Sequence, residues 1–142
     1  MLLSVENSLC EINQPIIVSK DKGEPREHRA INPERKYCLR HYKLDGDLIQ
    51  QTTCCDFLLL NDSRRKAYFI ELKGGNITDA IKQLEAGVQK CKEELDGYTI
   101  FYRIVCSRAK THKIKSTQFH KFEEKCGKRL KVKENRLEET LD

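Results

Sequence analysis

Residues 54–75 read CCDFLLLNDSRRKAYFIELKGG. Positions 54–60 are apolar apart from Asp56, positions 61–66 are polar and turn-forming, and positions 67–72 are apolar apart from Glu71, with Lys73 next. Two near-continuous apolar runs of strand length around a short polar break predict a buried β-hairpin. If Asn61 pairs with Lys66 across a four-residue loop, Asp56 falls opposite Glu71. Opposed residues on antiparallel neighbours hold their Cβ atoms about 4.5–5.5 Å apart. Side chains alternate between faces, so Lys73 shares the face of Glu71. Two carboxylates and an ammonium therefore converge inside an apolar sheet. Like charges directly opposite each other destabilise a sheet, and a cation between them removes the penalty. Mg²⁺ takes one or two protein carboxylates, keeps several waters and binds substrate phosphate. The patch has the composition of a hard-metal site for a phosphate ester.

Asp56, then Glu71-Leu72-Lys73 on the next strand, then a glycine turn and a helix, resemble the PD-(D/E)xK nuclease superfamily, over roughly residues 37–106. The resemblance implies the restriction-endonuclease-like fold: one α/β domain over residues 1–142 with an αβββαβ core. Its mixed central sheet would combine antiparallel hairpins with a parallel crossover strand, flanked by helices. It also implies Mg²⁺ or Mn²⁺ held by Asp56, Glu71 and the backbone carbonyl of Leu72, with Lys73 orienting a water or neutralising developing charge. A further acid from a helix ahead of the first strand is implied; Glu11, Glu24 and Glu27 are the candidates, and Glu27 is favoured because it lies just ahead of that strand. Glu-x-Lys alone carries no weight, because it occurs at Glu34–Lys36, Glu71–Lys73 and Glu123–Lys125. Only the middle copy ends an apolar strand opposite a second acid. The competing reading is a structural acid–lysine cluster, against which stands the rarity of buried charges that are neither paired nor metal-bound.

The chain is 142 residues with a net charge of +5, the length of one domain. The charge is unevenly placed. Residues 1–102 hold fifteen basic and sixteen acidic side chains, whereas residues 103–136 hold twelve basic and three acidic. Such a block attracts polyanions through phosphate contact and counterion release. Arg108, Lys110, Lys113 and Lys115 are its nucleic-acid-binding candidates; a solvated, solubilising face is the alternative. No apolar run reaches transmembrane length, and Glu6 with no basic n-region argues against a signal peptide. Seven cysteines without Cys-x-x-Cys spacing argue against zinc. Thiols inside apolar segments predict a reduced, cytoplasmic protein.

Along the chain, residues 1–14 predict a short helix with Val5, Leu9 and Ile12 on one face. Residues 19–33, with Gly23, Pro25, Pro33 and many charges, predict an irregular loop. Residues 37–44 predict the first core strand. Asp45-Gly46 is a hairpin-turn signal, which accounts for Asp45 without a catalytic role, and the return runs from Asp47 through Thr53 into Cys54. Gly74-Gly75 permits a turn close to a ligand, and Asn76 caps a helix whose apolar positions recur from Ile77 to Leu95. Ala80, Gln83 and Gly87 share one flank of it. Gln83 is the polar residue there, and the resemblance gives it a role orienting substrate or water near Lys73; a plain surface glutamine is the alternative. Residues 98–106 predict a central strand parallel to the Glu71 strand. Residues 116–126 predict an amphipathic helix, residues 129–133 an edge strand shielded by lysines, and residues 134–142 a frayed tail.

The expected function is metal-dependent hydrolysis of nucleic-acid phosphodiester bonds, with DNA favoured by the resemblance. The second expectation is a catalytically inactive nucleic-acid-binding or assembly subunit on the same fold. Proteins that this chain resembles also work in phage-defence and mobile-element systems, where a partner protein supplies targeting, and a twofold homodimer would suit a two-strand cut.

Overall fold

The hairpin of residues 57–73 lies at the centre of a five-stranded mixed sheet. The computed structural model describes residues 1–73, 75–107 and 116–142. Eight strands are described: β1 (Ile16–Lys20), β2 (Glu27–Ile31), β3 (Leu39–Lys43), β4 (Phe57–Asn61), β5 (Lys66–Lys73), β6 (Thr99–Cys106), β7 (Leu130–Glu134) and β8 (Arg136–Thr140). The helices are α1 (Ile77–Cys91) and α2 (Thr117–Cys126). The large sheet runs β3-β4-β5-β6-β7, and a smaller one runs β1-β2-β8. β3, β4 and β5 are antiparallel neighbours, while β6 and β7 add parallel. Asn61 pairs with Lys66 and Phe57 with Ile70, so one more step along the same register sets Asp56 against Glu71.

Alternation divides the core into two layers. Leu58, Leu60, Ala67 and Phe69 face α1 and α2, packing with Ala80, Leu84, Phe119 and Phe122. Phe57, Leu59, Tyr68 and Ile70 face the small sheet, packing with Ile17, Ala30 and Leu137. The domain is thus an α/β unit with a helical layer on one face of the large sheet and three strands on the other. Glu71 and Lys73 fall on the helical side of β5 by parity, and Asp56 lies just ahead of β4. The Asn76 side chain caps α1 by accepting from the Thr78 amide at 2.9 Å. The flank of α1 that carries Gly87 lies so close to the sheet that a Cβ at Gly87 would sit 2.6 Å from the Cys55 sulfur. No helix among the described residues is long and apolar enough to cross a membrane.

Four expectations are corrected here. Residues 1–14 form no α-helix: one 3₁₀ turn spans Val5–Asn7, and Val5, Leu9 and Ile12 are exposed. The segment instead shields the outer edge of β3, with Leu9 N donating to His41 O and Leu39 N to Ile12 O, both at 2.7 Å. The stretch expected as an irregular loop holds β2, whose pairing with β1 satisfies its backbone. The expected frayed tail is β8, which pairs parallel to β2 and buries Leu137 and Leu141. Residues 44–56 also make a wider loop than a two-residue hairpin turn, closed by Leu44 N donating to Asp56 O at 2.8 Å.

Candidate active site

Two backbone segments bring Asp56 and Glu71 together. Asp56 N donates to Glu71 Oε1 at 3.2 Å, and Leu72 N donates to Asp56 Oδ2 at 2.8 Å. Glu71 is 2 % exposed and Asp56 8 %. With its amide nitrogen turned to the site, Gln83 donates to Glu71 Oε2 at 2.8 Å and to the Asp79 carbonyl at 3.2 Å. The first turns of α1 therefore deliver a neutral donor to the buried acid.

Burial penalises the charged form of both acids. For Glu71, burial, the Asp56 charge and the hydrogen bond with Asp56 outweigh the Lys73 charge and push its carboxyl up to about 9. Burial also raises Asp56, against the Leu72 amide, which holds it down. Burial and the neighbouring acid thus both favour the neutral form of Glu71.

Lys73 stands at the solvent side. It lines a cleft of about 290 Å³ with Thr53, Asp79, Lys82 and Gln83. Gln83 and Thr53 also border a second cleft, with Asp45, Gln51, Thr52 and Cys54. The acid pair thus lies between the loop of residues 44–56 and the start of α1, behind side chains that reach solvent.

Among the described residues, none of the three candidate upstream acids hydrogen-bonds to the pair. Glu24 pairs with Arg26 at 2.9 Å and Glu27 with Arg29 at 3.5 Å. Glu27 is held in β2, where the paired backbone fixes it in the small sheet, rather than in a segment leading to the site. The acid whose charge reaches Asp56 is Asp21. It is linked through Lys43, whose ammonium lies 3.0 Å from Asp21 Oδ1 and 3.5 Å from Asp56 Oδ1. Lys43 rests over the Phe57 ring at 4.8 Å. Burial disfavours its charge, yet the two acids outweigh burial and raise it above an ordinary lysine. Sequence reasoning missed Asp21 and Lys43. The signal was the alternation of Lys43 with Tyr42 and Leu44, which turns the lysine to the other face of β3. Arg108, Lys110, Lys113 and Lys115 lie outside the described residues.

The donor set that Asp56, Glu71 and the Leu72 carbonyl would offer is all oxygen. Two carboxylates suit Mg²⁺, which fills its remaining positions with water and substrate oxygens. No cluster of three or more histidine, cysteine or acidic side chains suited to a metal occurs among the described residues. Such a site would therefore be completed by water and phosphate. Comparison with family models, with curated proteins and with solved structures yields no match to this chain.

Proposed function

We propose that this chain is a metal-dependent nuclease of the PD-(D/E)xK type that hydrolyses phosphodiester bonds in nucleic acid, with DNA as the substrate. The observation that carries the reading is the buried meeting of Asp56 and Glu71 across β4 and β5, with Lys73 and Gln83 on the same side. Burial disfavours the charge on both carboxyls, and Asp56 disfavours it further on Glu71; a divalent cation would favour the ionised pair and so would find a seat there. Asp56, Glu71 and the Leu72 carbonyl would hold Mg²⁺ or Mn²⁺. When bound, the ion supplies charge neutralisation at phosphorus and a lowered pKa for a coordinated water. Lys73 orients that water or offsets charge on the phosphoryl oxygens. Gln83 fixes the Glu71 carboxylate and closes one side of the seat. The run β3–β4–β5–α1–β6 supports reading this core as restriction-endonuclease-like, and on that reading the segment over β3 would stand where the core has its N-terminal helix.

The test is cleavage of plasmid and single-stranded DNA across Mg²⁺, Mn²⁺ and Ca²⁺. Lys73→Ala and Glu71→Gln should each lower the rate by about 10²–10³, the scale of removing one pre-organised electrostatic group. Equal DNA degradation by wild type and Lys73→Ala under every metal would end the reading.

One observation favours a second reading, a nucleic-acid-binding or assembly subunit without turnover. The Lys43 ammonium already lies beside Asp56, where it partly supplies the positive charge that an ion would bring. That reading predicts salt-sensitive DNA binding with no metal-dependent product.

A further inference from the structure

The outer face of the helical layer carries a groove that the acid pair does not account for. It runs between α1 and α2, holds about 280 Å³, and is floored by Ile81 and Phe122. Its rim holds Lys82, Lys121 and Lys125, with Glu85 as the acid. Lys82 also lines the cleft that contains Lys73. The two depressions therefore share a wall, and one lysine faces both. Among the described residues, the ion-pair partner of Glu85 is Lys125, at 3.6 Å, and both side chains are largely exposed. Such a pair is worth little in water. Among the described residues, neither Lys82 nor Lys121 has an ion-pair partner. Lys121 and Lys125 are one turn apart on α2, about 6 Å along its axis. The rim thus carries three ammonium groups, Lys82, Lys121 and Lys125, above an apolar floor.

We infer that the α1–α2 groove is a binding track for a single nucleic-acid strand, whose phosphates meet Lys121, Lys125 and Lys82 before the strand enters the cleft at Lys73. The inference rests on the nuclease reading for its direction of travel, but it is tested by binding alone. Each lysine that neutralises a phosphate of a single strand adds about 0.7 to the slope of log K against log salt.

The experiment is fluorescence anisotropy with a labelled single-stranded oligonucleotide in chelator, over a range of salt. K121Q/K125Q should flatten the slope by about 1.4 and weaken binding roughly tenfold at about 50 mM salt. K20Q/K36Q makes the same charge change on exposed lysines away from the groove, and should leave the slope near that of wild type. A slope unchanged in K121Q/K125Q, an equal loss in K20Q/K36Q, or no binding by wild type would each overturn the track. The two readings fail separately. A chain that cleaves with metal but keeps its slope in K121Q/K125Q loses the track and keeps the nuclease. A chain whose slope falls as expected but which never cleaves loses the nuclease and keeps the track.

Discussion

The large sheet buries an ionic group on each face, and the two are opposite in design. On the side of the small sheet, Glu139 accepts from Arg103 Nε at 2.7 Å, from Arg103 Nη2 at 3.0 Å and from His28 Nε2 at 2.6 Å. Arg103 spends a further nitrogen on the carbonyls of Tyr102 and Arg129 and lies over the Tyr68 and Phe101 rings. Burial would raise the Glu139 carboxyl, but the donors win and hold it well below the usual carboxylate range. On the helical side Glu71 meets Asp56 at the start of β4, and Glu71 is driven up instead. A charge group built to hold two sheets together is balanced within the chain. The acid pair is less fully countered: Lys43 lies 3.5 Å from Asp56, while Glu71 is driven toward its neutral form.

The largest effect expected from this contrast is at the balanced group. Glu139→Ala leaves the Arg103 guanidinium buried without its carboxylate, and should cost about 3–5 kcal/mol of stability in urea unfolding. Replacing both partners, as Arg103→Met with Glu139→Leu, should recover most of that loss, because breaking a buried pair costs more than removing it. A loss below about 1 kcal/mol for Glu139→Ala would show that β8 is held by Leu137 and Leu141 alone and would remove one half of the comparison.

The next effect is on pH dependence. A carboxyl raised on folding binds its proton more tightly folded than unfolded. From its ordinary value of 4.5 up to about 9, Glu71 therefore makes metal-free stability fall as pH rises. Glu139 is depressed on folding, so its contribution is present above the ordinary carboxylate value and is lost as pH falls through and below it. Chelated wild type should be most stable in mild acid and decline toward pH 9. Glu71→Gln should hold a flat plateau there and exceed wild type at pH 8. Mg²⁺ at a hundred times its dissociation constant should restore wild type by about 2.7 kcal/mol and leave Glu71→Gln little changed. Thermal melts from pH 4 to 9, with and without Mg²⁺, read all of this. A wild-type profile that stays flat to pH 9 in chelator would break the contrast.

How much of this was legible follows from where each partner lies in the chain. The hairpin register, α1 and the crossover to β6 are written in local periodicity, and so was the convergence of Asp56 and Glu71. Gln83 was legible as the polar residue on a flank of small side chains, where Gly87 brings α1 against Cys54 and Cys55. The small sheet was not legible. β2 has the right alternation, but five residues of mixed charge between Pro25 and Pro33 cannot be told from a loop without knowing their partner. That partner is β8, whose His28–Leu137 register position joins residues from opposite ends of the chain. Leu137 and Leu141 read as isolated leucines in an acidic tail until the pairing supplies the surface they cover. Asp21 and Lys43 were missed for the same reason, because the turn between β1 and β2 that places Asp21 exists only once both strands have formed.

The smallest expected effect in energy separates the two functional readings most sharply. Lys43 sits between Asp21 and Asp56 and is partly exposed, so Lys43→Met should change stability by only about 0–1 kcal/mol. Its effect on ions is opposite in sign to that of a residue that helps bind metal. The ammonium competes with a cation for the field of Asp56, and its removal should tighten Mg²⁺ binding several-fold in titration calorimetry. If wild type fails to bind Mg²⁺ but Lys43→Met binds it, the lysine is a built-in counter-ion and the chain is the non-catalytic form of its fold. If both bind and the variant cleaves at least as fast, Lys43 only tunes the seat. Weaker Mg²⁺ binding in Lys43→Met would instead mean that the lysine holds Asp56 in place, and the claim that the acid pair is the less fully countered group would then fail on its own ground.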